Sequence, residues 1–264
     1  MVVNPPRVGA IVLAAGASSR MGSLKALLPW RGTTLAGYVV GELLQSPVAR
    51  IVVVTGNGAD DVVAAVTHDP RVTFVVNDRW EDGKAGSVTC GVRALPEGWH
   101  VLVGAIDQPR PASLLNAGVA AHLDGLADGR IATIVGHGGR RGHPIIFVPD
   151  MRHELLAIDE VTAGLRAVVV RHGAAVRVAD VGDAAALLNL NTPEEYAAAV
   201  SGVGSARKAP CTPEAPSPCP SPVATGMRGA PKLSGSGSGG DGLEALVRPA
   251  GGIPAGQRPR PGRG

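Results

Sequence analysis

The feature that most constrains this chain is the alternation of short, unbroken apolar runs with segments of helical spacing. Arg7–Ala15, Ile51–Thr55, Val72–Val76 and His100–Ile106 each read as a buried strand. Turn formers close three of them: Gly16 after the first, Gly56-Asn57-Gly58 after the second, Asp107-Gln108-Pro109 after the fourth. Leu35–Leu44, Asp60–Val66, Ala85–Leu95 and Pro111–Leu123 follow these runs with helical spacing. A strand that is apolar without in-out alternation is covered on both faces, as in a parallel sheet sandwiched between helices. The expected fold class is therefore α/β: three layers, Rossmann-like, with a mostly parallel sheet. Ile131–Val135, Pro144–Val148 and Ala175–Val178 are further strand candidates. A last helix is expected near Thr192, with Pro193 in its first position and Glu194 and Glu195 in the first turn, where the helix dipole favours carboxylates.

Composition divides the chain in two. Residues 1–202 are rich in Val, Ala, Leu and Ile, whereas 203–264 hold 11 of the 22 prolines and the run Ser234-Gly-Ser-Gly-Ser-Gly-Gly240. Such a segment has too little apolar surface to offset the entropy of ordering it, so a disordered C-terminal tail is expected. The tail carries eight Lys/Arg against three Asp/Glu, a net +5 in a chain of net +3, which leaves residues 1–202 at about −2. The basic balance thus belongs to the tail and gives the folded part no nucleic-acid character. Three cysteines without a Cys-x-x-Cys argue against a disulfide framework or a structural zinc site. No run of 18 apolar residues and no basic start with an apolar core occurs, so a cytoplasmic protein with no membrane partner is expected.

In open α/β sheets ligands bind beyond the carboxyl ends of the strands, and the chemistry-bearing residues follow the apolar runs. The first group is the loop Leu13–Lys25, with sequence LAAGASSRMGSLK. Gly16 and Gly22 let backbone approach a ligand, small residues expose N–H groups to phosphate oxygens, and Arg20 and Lys25 add cationic donors. It is neither a Walker loop nor the dinucleotide fingerprint, because Gly-Lys-Ser/Thr and Gly-x-Gly-x-x-Gly are both missing. An ordinary glycine-containing turn is the plain alternative. The second is Asp107, a carboxylate at a strand exit that can anchor Mg²⁺ together with substrate phosphates, or simply cap a turn. The third is Asn77–Gly91, in which Gly83 and Gly86 loosen the backbone and Ser87 sits at a helix start, where capping is its plain role. The fourth is Gly138–Pro144, carrying Arg140, Arg141 and His143 on a loop that leads into a strand.

Taken together, residues 7–200 resemble the MobA-like nucleotidyltransferases, and within them the molybdenum cofactor cytidylyltransferase branch. Leu13–Lys25 is similar to the family's nucleotide loop, Asp107-Gln-Pro109 to its metal-binding Asp-x-Pro, Gly142-His-Pro144 to its acceptor-side motif, and Asn191-Thr-Pro-Glu-Glu195 to its closing segment. Two departures stand out: Asn191 replaces an Asp common in cytidylyltransferase-like members, and Ile106 precedes Asp107 where Gly is frequent. The resemblance implies transfer of CMP from CTP to a phosphorylated acceptor, molybdopterin, with release of pyrophosphate and with Mg²⁺ as cofactor. It implies that Leu13, Ala14, Ala15, Gly16, Asn77, Gly86 and Ser87 hold the nucleotide, Arg20 and Lys25 the triphosphate, and Asp107 the metal. It places His143 with Arg140 or Arg141 on the acceptor side as the cations an anionic pterin phosphate needs, and a molybdoenzyme or its maturation factor as a partner. The alternatives are another acceptor, such as a sugar or polyol phosphate, and a non-catalytic cofactor carrier or maturation factor. A redox enzyme has little support in the sequence.

Overall fold

The computed structural model describes residues 5–18, 21–161 and 164–205. The chain runs through β1 (Val8–Leu13), a two-stranded hairpin β2 (Pro29–Trp30) and β3 (Thr33–Thr34), α1 (Leu35–Leu44), β4 (Val48–Thr55), α2 (Ala59–Ala64), β5 (Val72–Val76), α3 (Lys84–Ala94), β6 (His100–Ala105), α4 (Ala112–Gly125), β7 (Ala132–His137), β8 (Arg140–Phe147), α5 (Arg152–Leu156), α6 (Gly164–Arg171), β9 (Val176–Asp180) and α7 (Pro193–Ser205). Seven strands form one sheet in the order β5-β4-β1-β6-β8-β7-β9. Its pairs are parallel except where β8 lies antiparallel to β6 and β7. The expected mostly parallel α/β sandwich is the observed fold. The Pro/Gly/Ser-rich tail lies, from residue 206 onward, outside the described residues.

Side-chain alternation along β1 explains the three layers. Val8, Ala10 and Val12 point to one face, where Leu35, Val39 and Leu43 of α1, Val62 of α2 and Leu115 and Val119 of α4 close over them. Ile11 points to the other, against Val88 and Val92 of α3, with Leu155 of α5 and Val168 of α6 in the same cluster. Ile11 is fully buried, and burying such a side chain is worth about 2–3 kcal/mol. Gly9 is small for a packing reason: a Cβ there would stand 2.6 Å from Cδ2 of Leu95. Thr34 starts α1 by accepting the Gly37 N–H at 3.0 Å.

Several elements differ from the expectation. The segment read as a loop before Pro144 is a strand: β8 begins at Arg140, and Gly138 and Gly139, at φ 56° and 74°, make the two-residue turn that puts His137 opposite Arg140. Two positive φ values are what a tight hairpin requires, and the glycines supply them. The β2–β3 hairpin, α5 and α6 were not expected; five- and eight-residue helices carry too few turns for a clear period.

Between β6 and α4 lies a buried pair of imidazoles. His100 Nδ1 meets His122 Nε2 at 2.9 Å, and His122 Nδ1 meets Thr133 Oγ1 at 3.2 Å. Both rings are buried, and His122 is only 1% exposed. Burial, with the neighbouring His100 adding repulsion, pulls His122 down to about 4, and burial lowers His100 as well. A base whose folded pKa lies below its unfolded value near 6.5 is kept neutral by the fold, so protonation favours the unfolded chain as pH falls. Stability should therefore decline between pH 6.5 and about 4, with His122 alone accounting for about 2 kcal/mol between pH 7 and 5. Urea midpoints across that range check this, and His122→Gln should flatten the slope; an equally steep decline in that variant would remove His122 as its source.

Candidate active site

The site forms where three strands end level. Leu13 at the end of β1 pairs with Val54 of β4 on one side and Ala105 of β6 on the other, so the segments that follow emerge side by side. Hydrogen bonds continue the register past the sheet: Ala14 N–H donates to Val54 O at 2.8 Å, Ile106 N–H to Leu13 O at 3.0 Å, and Asn57 N–H to Ala15 O at 3.1 Å. The N–H groups of Ala15 and Gly16 have no partner among the described residues, and both residues line a cleft of about 350 Å³. Free backbone donors of this kind can read a base edge or a phosphate. Gly56 seals the loop from beneath, since a Cβ there would lie 2.7 Å from Trp80 Cβ and 2.9 Å from Ala15 O.

Opposite these donors sits an ion pair. Lys25 Nζ donates to Asp107 Oδ2 at 3.0 Å, with both side chains 13% exposed. Ser18, at a positive φ of 55°, turns the loop and accepts the Lys25 N–H on its Oγ at 3.1 Å, which fixes the lysine's backbone. Asp107 is held by its own carbonyl, which accepts Leu190 N–H at 2.9 Å, while Gln108 Oε1 accepts Ala105 N–H at 3.2 Å and ties the turn to the strand end. Asn191, one residue beyond Leu190, lines the same cleft.

The third wall is the start of α3. Asn77 and Ser87 are both buried, and Asn77 Nδ2 donates to Ser87 Oγ at 3.0 Å. Asn77 therefore positions Ser87, which lines the cleft; Asn77 is not itself among the lining residues. Ser87 is not an N-cap, because α3 begins three residues earlier at Lys84. The α3 entry is instead bound by Glu160, whose Oε1 accepts Ala85 N–H at 2.9 Å. Gly83, at φ 119°, is packed so closely that a Cβ would overlap Glu160. Gly86 is exposed in the same turn and lies outside the cleft lining.

The acceptor-side residues do not all converge. His143 lines a second cavity of about 210 Å³ that shares Leu13, Lys84 and Ala105 with the cleft. It is not the cation the sequence suggests: burial, reinforced by Arg110, holds it at about 4, so the ring is neutral at pH 7. Arg140 and Arg141 are exposed at the start of β8 and line neither space. Beyond Lys25, positive charge near the site comes from residues the motif reading passed over. Lys84 lines both spaces, and Arg110, 4% exposed, donates from Nε to His143 O at 3.2 Å. The signal for Arg110 was its place between Pro109 and Pro111, a rigid stretch directly after the strand-end carboxylate. Arg20 lies outside the described residues.

The donor set bears on a metal. Among the described residues no three His, Cys, Asp or Glu gather as a self-sufficient metal site, and Asp107 is the carboxylate that lines the cleft. One carboxylate with an amide oxygen nearby fits a hard cation that takes its remaining ligands from water and substrate phosphates, as Mg²⁺ does. No helix among the described residues is long and apolar enough to cross a membrane.

Comparison with known proteins gives the family and the fold. Residues 10–176 match the MobA-like NTP transferase domain. The chain is 30% identical over 197 residues to nicotine blue oxidoreductase of Paenarthrobacter nicotinovorans, covering 72% of this chain and 95% of that one. It is 26% identical over 190 residues to the molybdenum cofactor cytidylyltransferase of Escherichia coli, covering 72% and 93%. Among solved structures, a nucleotidyl transferase from Methanothermobacter thermautotroptrophicus superposes with a TM-score of 0.64 at 25% identity, covering 76% of this chain and 99% of that one.

The close approach at Gly56 yields a test. Gly56→Ala must push Trp80 or the Ala15 carbonyl aside, and overpacking of this kind costs about 1–3 kcal/mol. A lowered melting temperature together with weaker nucleotide binding is expected; unchanged values for both would show that the contact is slack.

Proposed function

The chain belongs to the MobA-like NTP transferase domain family, and from that premise we propose that it moves CMP from CTP onto a phosphorylated small-molecule acceptor, molybdopterin or its molybdenum cofactor form, releasing pyrophosphate. The observation that carries this reading is the convergence, in one cleft, of the Leu13–Gly16 backbone, Lys25, Ser87 and Asp107. These residues are dispersed over the first 107 positions of the chain, and an incidental turn would not assemble them. Cytosine is supported by Ala14-Ala15 in the first loop and by the cytidylyltransferase relative.

Transfer of a nucleotidyl group asks the protein for positioning and charge neutralisation. An oxygen of the acceptor phosphate attacks the α-phosphorus; a new P–O bond forms, the α–β bridging P–O bond breaks, and pyrophosphate leaves with the electron pair. The acceptor oxygen is already ionised, so no strong general base is needed, in keeping with a neutral His143. The free N–H groups of Ala15 and Gly16 and the hydroxyl of Ser87 hold the base. Lys25 leaves its partner Asp107 to bind the triphosphate and offsets the charge growing on the leaving group. Asp107, released, is the residue to hold Mg²⁺, which when bound supplies Lewis-acid polarisation of the phosphate oxygens. Lys84 serves the acceptor phosphate from the shared rim of the two spaces.

One observation favours a second reading: the relative at 30% identity is called an oxidoreductase. The same cleft would then take the nucleotide half of a reduced dinucleotide. The absence of Gly-x-Gly-x-x-Gly at the first loop speaks for the transferase.

A screen of labelled CTP, GTP, UTP and ATP with Mg²⁺ and candidate acceptors should show pyrophosphate release with CTP and molybdopterin. Release with another pair would change the substrate assignment, nucleotide binding without turnover would favour a carrier, and tight reduced-dinucleotide binding without release would favour the redox reading. Lys25→Ala should lower turnover by more than about tenfold, the scale of one lost transition-state contact of about 1.4 kcal/mol. Asp107→Ala should abolish Mg²⁺-dependent turnover in a protein that still folds, with a lowered melting temperature because Lys25 loses its partner; a fully active variant would remove Asp107 as the metal anchor.

A further inference from the structure

The cavity of about 210 Å³ beside the cleft holds a residue that no sequence motif marks. Its walls are mostly aliphatic, and four polar side chains break them: Lys84, Gln108, His143 and Glu160. Each offers a ligand a different face. Lys84 only donates, and it lines the nucleotide cleft as well. Gln108 uses its Oε1 to accept Ala105 N–H at 3.2 Å, which leaves its Nε2 as a donor. His143, neutral at pH 7, donates once and accepts once. Glu160 alone among the four accepts without donating, and it lines this cavity and not the cleft. Its carboxylate is also seated. It reaches α3 from the stretch between α5 and α6, and its Oε1 accepts Ala85 N–H at 2.9 Å. Gly83, at φ 119°, makes room for it, since a Cβ there would overlap the same carboxyl group. Oε2 has no hydrogen-bond partner among the described residues, and Oε1 keeps a second lone pair.

We propose that Glu160 is a specificity-determining residue for the acceptor: its carboxylate reads two adjacent N–H donors on the edge of a flat nitrogen heterocycle, as a cyclic guanidine or amidine presents them. The inference rests on the reading of this cavity as the acceptor side of the transfer. A carboxylate can meet two adjacent N–H groups with two parallel, charge-assisted hydrogen bonds, which combine strength with direction. A ring with a carbonyl oxygen at that edge sets lone pair against lone pair and leaves an acceptor unpaired, which is the costly case. Aliphatic side chains such as Val88, Val103, Ile145 and Leu165 suit the faces of the ring. Charge sets the direction in which the acceptor lies. Glu160 repels a phosphate, whereas Lys84 draws it to the rim shared with the nucleotide cleft, where transfer takes place. The donor edge then falls to Glu160 and the reacting phosphate to the cleft.

The test compares two rings, pterin and lumazine, which carry an amino group and a carbonyl oxygen, respectively, at the same ring carbon. Both fluoresce, so their binding to the full chain is followed directly, without nucleotide and without turnover. The wild-type protein should bind pterin tighter than lumazine by about tenfold or more. Glu160→Gln keeps an amide oxygen for Ala85 N–H and turns an NH₂ group toward the ring. The preference should then vanish or reverse, with lumazine gaining affinity. A merely structural Glu160 would instead weaken both rings alike and leave their ratio unchanged, and that result overturns the proposal. Equal affinities in the wild-type protein, or binding of neither ring up to its solubility limit, overturn it as well. If Glu160→Gln does not fold, Glu160→Ala should bring the two rings level, and the wild-type ratio needs no variant. The outcome is separable from the reading beneath it. Pyrophosphate release from CTP by a protein that binds both rings equally overturns this inference and keeps the transfer. A pterin preference in a protein that never releases pyrophosphate keeps the ring recognition and overturns the transfer.

Discussion

The level ending of β4, β1 and β6 is the constraint on which the rest depends. Three parallel strands place Val54, Leu13 and Ala105 in one row, and the chain leaves the sheet at Leu13 and Ala105 and one residue beyond Val54, at Thr55. Everything chemical follows from what is built one to three residues further on: the free N–H groups of Ala15 and Gly16, the seal at Gly56, and the carboxylate of Asp107. A one-residue slip of β6 would reverse the face of every side chain on it, exchanging Leu102 with Val101 and Val103 between the two differently packed cores, and would move Asp107 away from Lys25. Core packing and site geometry are therefore specified by the same register.

Charge is arranged around that row economically. Lys25 and Asp107 neutralise each other across the gap between the β1 loop and the β6 loop, which leaves Lys84 as the unpaired charge of the cleft lining among the described residues. The pair is partly buried, and such a pair adds little net stability because desolvation offsets its attraction. Its value is in being exchangeable: phosphate oxygens can replace a carboxylate for the lysine, and a metal can replace the lysine for the carboxylate. On the proposed reading, the buried Arg110 and the neutral His143 are the fixed background of that exchange.

The sequence made the fold's layers legible because continuous apolar runs leave few alternatives to a covered parallel sheet. It made the cleft legible for a related reason: loops at strand ends have little to pack against, so glycines, small residues and isolated charges show through. Lys25, Ser87 and Asp107 were found this way. What stayed hidden depends on burial and on antiparallel pairing. Pro144 and the glycines before it look like a loop, yet they turn into β8, and that turn carries Arg140 to the surface. The protonation state of His143 is a property of its cavity and cannot be read from Gly-His-Pro. Arg110 resembles any loop arginine until its burial is known.

The neutrality of His143 also bears on how acceptors are chosen. A charged imidazole would attract any anion, whereas a neutral one in a cavity of about 210 Å³ donates one hydrogen bond and accepts another. On the proposed reading, discrimination there would rest on shape and hydrogen-bond pattern, with attraction left to Lys84 at the rim. The cavity is largely walled by apolar side chains, including Val88, Val103, Ile145 and Leu165. A small, flat acceptor with both donors and acceptors on its edge suits such a wall better than a flexible polyol, whose hydroxyls would be stripped of water against aliphatic surface at about 1–3 kcal/mol each. On the proposed reading, that penalty is a physical reason, independent of motif similarity, for a heterocyclic phosphate to be preferred over a sugar phosphate.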